Sequence, residues 1–112
     1  MSDQMRISVI VATFNRSNML RDCIESLLNQ TLDPTLYEVI IIDNNSKDAT
    51  RETVNEYLGL ERYNVKYVLE PRPGAHYARN TGVKSAHAAI LAFYRRRRCL
   101  SRAMVRSAFA SL

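Results

Sequence analysis

Three small groups of polar residues fall where a chain of this kind could do chemistry. Thr13, Asn15 and Arg16 close one apolar run, Asp43 and Asn44 close a second, and His76, Arg79 and Asn80 open a later helical stretch. A carboxylate and an amide can read the donor and acceptor edge of a nucleobase, while arginines take phosphate through bidentate, charge-assisted hydrogen bonds. A helix N-terminus nearby favours an anion. Gathered on one edge, these residues have the chemistry of a nucleotide site. Each also has a plainer reading. Residues 43–46 fit a turn with a helix cap, Asn15 a strand end, Arg79 a surface partner for Glu70, and Asn80 a bond to backbone. His76 and His87 fit surface or packing roles better than those of ligands or bases.

The elements that must position them can be read in order. Ile7-Ser-Val-Ile-Val-Ala-Thr13 is nearly unbroken, apolar and β-branched, the composition of a parallel strand covered on both faces. Ser17 or Asn18 can cap a helix whose stripe is Leu20, Ile24, Leu27 and Leu28, ending near Gln30 before Asp33-Pro34. Glu38 to Asp43 repeats the buried strand. A second helix is expected from a cap at Ser46 or Asp48 to Leu58, burying Ala49, Val54, Tyr57 and Leu58, with Gly59 as its stop. Val65 to Leu69 is a short alternating strand, expected nearer an edge. After Pro71-Arg72-Pro73-Gly74, a helix over 75–86 points Tyr77 or Ala78, Val83 and Ala86 inward, and Ile90 to Tyr94 is a fourth strand. Strands alternating with helices imply right-handed crossovers and a mostly parallel sheet, a three-layer α/β/α architecture of about four strands. Ligands of such sheets sit beyond the carboxyl ends of the strands.

Composition narrows the classes. With 112 residues and 46% hydrophobic content the chain can bury one modest core. No apolar run approaches the roughly 20 residues that cross a bilayer, and Met1-Ser-Asp-Gln-Met-Arg6 has no apolar signal-peptide core. Cys23 and Cys99 are too few for a disulfide framework or a zinc site, and Cys23 reads as a small buried hydrophobe. A cytoplasmic protein is expected. The net charge of +5 comes from one block: residues 95–112 hold six arginines and no acid, whereas residues 1–94 hold 10 Lys+Arg against 11 Asp+Glu, a balance of −1. That block lacks the interleaved aromatics that stack on bases, which argues against a nucleic-acid partner. A Rossmann dinucleotide site or a P-loop needs a glycine-rich turn after the first strand, and that turn has no glycine. A receiver-like signalling domain needs acids there, and Thr13-Phe14-Asn15 supplies none.

The ordered motifs resemble the amino-terminal half of a family 2 glycosyltransferase with the GT-A fold. The matching pieces are Val9-Ile-Val-Ala-Thr-Phe-Asn-Arg16, then Ile42-Asp-Asn-Asn-Ser46 with Asp48 and Thr50, then Gly74 with Ala78-Arg-Asn-Thr-Gly82. The resemblance covers roughly residues 6–94, read as a nucleotide-sugar-binding half-domain over 1–94, and leaves 95–112 as a separate basic tail. It implies transfer of a sugar from a nucleotide donor, with inversion. By position, it assigns the Thr13 segment, Asn15 and Arg16 to the nucleoside pocket and Asp43 with Asn44 to the base. Arg79 is assigned to the nucleotide, with Asn80 and Gly82 setting the helix that places it. It also implies a divalent cation (Mg or Mn) bridging the donor diphosphate, held by acids just after the fourth strand.

Here the chain departs from the family. Arg95, Arg96, Arg97 and Arg98 stand in the place of those acids, and Ala88-Ala89 replace the small-acidic pair ahead of the strand. Guanidinium groups repel a cation. Four CGA arginine codons read one base later become GAC, GAC, GAC and GAT, an acidic run; Cys99-Leu100-Ser101 can become Ala-Ser-Pro, and Met104-Val105 becomes Trp. A shift of reading frame after about Tyr94, with early termination and loss of activity, is therefore expected. Arginine codons other than CGN in the coding DNA would dismiss it. The tail also carries Leu100, Met104, Ala108 and Leu112 at helical spacing, so an extra C-terminal helix is expected, covering the sheet or pairing two copies into a homo-oligomer. A non-catalytic module whose arginine tail binds anionic partners is the rival reading.

Overall fold

A computed structural model describes residues 6–14, 17–29, 33–60, 63–88 and 90–94, with the side chains of 17, 18, 75 and 90–94 outside the described set. The elements run β1 (Ile7–Thr13), α1 (Ser17–Leu28), β2 (Tyr37–Asp43), α2 (Thr50–Leu58), β3 (Val65–Leu69), α3 (Ala75–Ser85) and β4 (Ile90–Tyr94), with a short 3₁₀ turn at Pro34–Leu36 leading into β2. All pairings are parallel and the strand order is β3-β2-β1-β4. The short alternating strand does lie at an edge.

Handedness decides where the helices go. From β1 to β2 to β3 the chain steps one way across the sheet, and from β3 to β4 it returns past both to the far side of β1. Right-handed crossovers place the helices of opposite steps on opposite faces. Accordingly α1 and α2 pack together on one face, and α3 crosses β1 and β2 on the other. The reversal makes the gap between β1 and β4 a topological switch point, where open α/β sheets form a crevice at the strands' carboxyl ends.

Both central strands are buried on both faces, as their unbroken β-branched runs require. Val9, Val11, Val39 and Ile41 meet Leu20, Cys23, Ile24, Leu27, Val54 and Tyr57 in the larger core. Ile10, Ile40 and Ile42 meet Ala78 of α3 in the smaller one. The α1 stripe is as expected, and Cys23 is a buried thiol outside any disulfide.

Two helices bury other residues than expected. α2 begins at Thr50, so its inner face is Thr50, Thr53, Val54 and Tyr57 at i, i+3, i+4 and i+7; Ala49 and Leu58 fall off that stripe and are exposed. Asp48 still serves the helix start, accepting from Thr50 N at 3.1 Å. In α3 the inward residue after Ala78 is Gly82, one turn on, and Val83 is 43% exposed. Helical geometry carries Val83 about 100° past Gly82.

Candidate nucleotide-binding site

Parallel register brings the first three strand tips level. Thr13 stands opposite Asp43, and Asp43 opposite Leu69. Beyond the strands the ladder continues: Asn44 N donates to Thr13 O at 2.8 Å and Glu70 N to Asp43 O at 2.8 Å. Asn45 then turns the chain away at φ 65°, in the left-handed region that asparagine tolerates.

The Asp43 carboxylate is buried and fixed at both oxygens. Oδ1 accepts from Ser46 N at 2.9 Å, and Oδ2 accepts from the Tyr67 hydroxyl at 2.6 Å. Burial first, then this carboxylate, push the Tyr67 phenol up to about 12, so it remains the donor at neutral pH. The Arg51 guanidinium lies over the Tyr67 ring, 5.7 Å from its centre. A carboxylate has about four lone-pair positions. Both Asp43 partners are donors, so whatever meets its remaining positions must donate too.

Asn44 lies at the β2 tip as its sequence suggests, and its side-chain amide faces the β3–α3 loop. Its Nδ2 donates to Glu70 O at 2.9 Å and Arg72 O at 2.7 Å, and its Oδ1 accepts from Gly74 N at 3.2 Å. The amide thus clips the β3–α3 loop to the β2 tip. Gly74, at φ 127°, holds a conformation that a side chain rarely adopts, which accounts for glycine ahead of α3.

The same loop contains an ion pair that composition alone does not reveal. Glu70 is buried; Arg72 Nε donates to its Oε2 at 3.0 Å, Arg72 Nη2 to its Oε1 at 2.9 Å, and the Thr81 hydroxyl bonds Oε1 as well. Arg72 also stacks on Tyr77, 4.5 Å from the ring centre. Glu70 therefore has Arg72 as its ion-pair partner, where the plainer sequence reading offered it Arg79. The useful signal was the proline on each side of Arg72, which forces an extended loop that folds the arginine back.

Arg72, then Thr81, hold the Glu70 carboxyl down at about 2, against an ordinary 4.5. A depressed carboxyl adds stability that is fully present above the unfolded value and lost as pH falls through the folded one. The thermal midpoint of the wild type is therefore expected to fall between about pH 4.5 and 2, and its advantage over Glu70→Gln to close across that window. A constant gap down to pH 2 would contradict the pairing.

The remaining sequence candidates divide. Thr13 is buried at the β1 tip and Phe14, next along, is 52% exposed. Asn15 and Arg16 follow directly but lie outside the described residues, as do Arg95–Arg98 and the tail stripe. Arg79 is exposed in the second turn of α3, whose start is tied to the β2 tip through Gly74. Gly82 has a packing reason: a Cβ there would sit 2.4 Å from Ile10 Cγ2, so only glycine lets α3 lie this close to β1.

The model of the family described as glycosyl transferase family 2 matches residues 8–94. The chain belongs to that family. Among curated family 2 relatives it is 40% identical over 90 residues to the poly(ribitol-phosphate) beta-N-acetylglucosaminyltransferase TarP of Staphylococcus aureus, covering 79% of this chain and 27% of that one. It is 33% identical over 88 residues to the glycosyltransferase AglE of Haloferax volcanii, covering 78% and 29%. The chain thus spans less than a third of these relatives' length. Among solved structures, S. aureus TarS 1-349 superposes with a TM-score of 0.85 at 27% identity, over 95% of this chain and 32% of that one. It has also been solved with UDP and with UDP-GlcNAc. The mannosyltransferase PcManGT of Pyrobaculum calidifontis, in complex with GDP-Man and Mn2+, gives a TM-score of 0.68 at 26% identity, over 72% and 24%.

That last neighbour is in complex with a divalent cation, Mn2+. The residues of this chain do not fit one at the expected place. Among the described residues no group of three His, Cys, Asp or Glu could hold a metal ion, and the positions directly after β4 are Arg95–Arg98. Guanidiniums have donors only and cannot ligate a cation.

Proposed function

We propose that this chain is the nucleoside-diphosphate-binding part of an inverting, nucleotide-sugar-dependent glycosyltransferase, and that by itself it binds the nucleotide without transferring sugar. The observation that carries this reading is the Asp43 carboxylate, buried at the strand tips and fixed between Ser46 N and the Tyr67 hydroxyl, with its open positions limited to donors. Thr13, Asn15 and Arg16 complete the nucleoside side, and Arg79 approaches the phosphates. Asn44 contributes by holding the loop, and the family resemblance supports the donor class.

Inactivity rests on chemistry. The acids that hold the cation in the parent enzymes are replaced by Arg95–Arg98, and Ala88-Ala89 replace the small-acidic pair before β4. By the family resemblance, the acceptor site and the carboxylate base of direct displacement fall in sequence that follows the nucleotide-binding half. A change of reading frame after Tyr94 accounts for the arginine block. No helix among the described residues is long and apolar enough to cross a membrane, and the two isolated cysteines support a reducing, cytoplasmic setting.

Titration of the purified chain with a panel of nucleoside diphosphates, followed by NMR, tests the reading. One nucleotide is expected to shift the resonances around Asp43 and Arg79. Asp43→Ala, checked for folding by circular dichroism, is expected to weaken it roughly tenfold or more, the scale of a lost charged hydrogen bond. Incubation with the matching nucleotide-sugar yields no product beyond background. Turnover would refute inactivity. Binding to any polyanion through the tail, with Asp43 and Arg79 silent, would favour the rival, a module that uses its six tail arginines on anionic partners.

A further inference from the structure

Resting on that reading of the strand tips, we propose that Tyr67 governs which base the site accepts without touching it. Its hydroxyl sets the plane of the Asp43 carboxylate, which makes Tyr67 a positioning residue for nucleoside recognition.

Alternation along the strands puts the two side chains on one face. Val39 and Ile41 of β2 and Tyr67 of β3 all belong to the larger core, on the side of the sheet that α1 and α2 cover. Asp43, two residues beyond Ile41, continues that face to the strand tip, and Thr13 does the same beside it on β1. Tyr67 stands opposite Ile41 in the register, one same-face step back from Asp43. A phenol is long enough to cover that step. Its hydroxyl reaches Asp43 Oδ2 at 2.6 Å, the short distance of a charge-assisted hydrogen bond. The ring is held independently of that bond, because it packs on the larger core and the Arg51 guanidinium, in the first turn of α2, lies over it. The third strand thus presents a fixed donor to a carboxylate on the second.

Asp43 needs such a donor. The terminal torsion of an aspartate is broad and roughly two-fold, so the side chain does not choose its own plane. Ser46 N alone, on Oδ1, would leave the group free to turn about that contact. A second donor on Oδ2 stops the rotation. Each oxygen then has one position filled from inside and keeps about one for a guest. Held this way, the carboxylate meets a ring N–H, as in uracil or guanine, with its open positions. The corresponding ring nitrogen of cytosine brings a lone pair to the same place, and two acceptors repel. A carboxylate released from Tyr67 can turn instead toward cytosine's amino group. Discrimination therefore rests on the Tyr67 hydroxyl as much as on Asp43.

Tyr67→Phe keeps the ring, its packing and the Arg51 contact, and removes only the donor. Calorimetric titration of the intact 112-residue chain and this variant with UDP, GDP and CDP tests the proposal, with folding checked by circular dichroism. The wild type is expected to bind UDP or GDP more tightly than CDP. Tyr67→Phe is expected to weaken the preferred nucleotide roughly fivefold, the scale of one net hydrogen bond, and CDP much less, so that the preference narrows. In the Asp43→Ala background the same change is expected to have no effect, since a residue that acts through Asp43 cannot act without it. A general loosening of β3 would instead weaken all three nucleotides alike and add to Asp43→Ala. Full affinity or tighter binding in Tyr67→Phe, an equal loss for CDP, a loss that persists in Asp43→Ala, or a wild-type preference for CDP would overturn the inference while leaving the nucleotide site standing. Failure of the wild type to bind any of the three, or binding indifferent to Asp43→Ala, would overturn the nucleotide reading and this inference with it.

Discussion

Gly82→Ala is expected to destabilise the domain by about 1–3 kcal/mol, the scale of an overpacked core. On an exposed helix the same change would stabilise by up to about 1 kcal/mol, because alanine is the better helix former. Packing reverses the sign here. The added methyl would lie 2.4 Å from Ile10 Cγ2, a branch on a β-branched residue that is 1% exposed and has little room to swing. α3 would have to lift off β1 and β2, and the smaller core would open with it. Urea denaturation of the wild type and variant measures the loss. Ile10→Ala in the Gly82→Ala background is expected to cost less than the two single changes added together, since each relieves the other. A Gly82→Ala protein more stable than the wild type would show that α3 does not approach β1 so closely.

Glu38→Ala carries the second large effect, at the opposite end of the sheet. Glu38 is fully buried in β2, directly opposite Ser8 in β1. Its Oε2 accepts from Ser8 Oγ at 2.6 Å and from His87 N at 2.7 Å, and Ala88 N donates to Ser8 Oγ at 3.1 Å. Its Oε1 meets Lys66 Nζ at 2.7 Å, off the direction of a hydrogen bond, so that contact is an ion pair held by charge. Burial alone would raise the Glu38 carboxyl; Lys66, Ser8 and His87 together outweigh it and lower it. Removing the side chain leaves Ser8 and the 87–88 backbone without their acceptor and parts Lys66 from its counter-charge. A loss of about 2–4 kcal/mol is expected, below the full cost of orphaning a buried ion because Lys66 reaches solvent. Lys66→Ala in the same background is expected to restore part of it. Unchanged stability in Glu38→Ala would mean the network is ornamental. Since its carboxyl is depressed, Glu38, like Glu70, stabilises the fold above its unfolded value and loses that contribution as pH falls.

How far the sequence could be read depended on how local each feature was. β1 and β2 were legible because a strand buried on both faces writes itself as consecutive β-branched residues, and α1 because its stripe is regular. Their parallel pairing followed from the intervening helices. In α2 the sequence points correctly to Val54 and Tyr57, but Ala49 and Leu58 look more like core residues than Thr50 and Thr53, whose hydroxyls hide that they complete the buried stripe. Val83 looked like a core residue of α3, while the true contact, Gly82, has no side chain by which to advertise it.

The polar partnerships were harder still, because each joins residues far apart in the chain. Ser8 and Glu38 carried a faint signal, a polar residue at a buried position in each of two otherwise apolar strands. Only register showed that they face each other. The grouping of Thr13 with Asp43 was accessible from topology. That Tyr67 would fix Asp43, and that Asn44 would face the loop, required knowing where β3 lies.

The triple engagement of Asn44 has a bearing on how a ligand would be received. One amide joins the β2 tip to Glu70, Arg72 and Gly74, so the strand end and the start of α3 are tied to each other. On the proposed reading, a nucleotide arriving at Asp43 would meet a rim already tied together on this side. Little conformational freedom then remains to be frozen on arrival, and such preorganisation leaves more of each contact's strength as affinity.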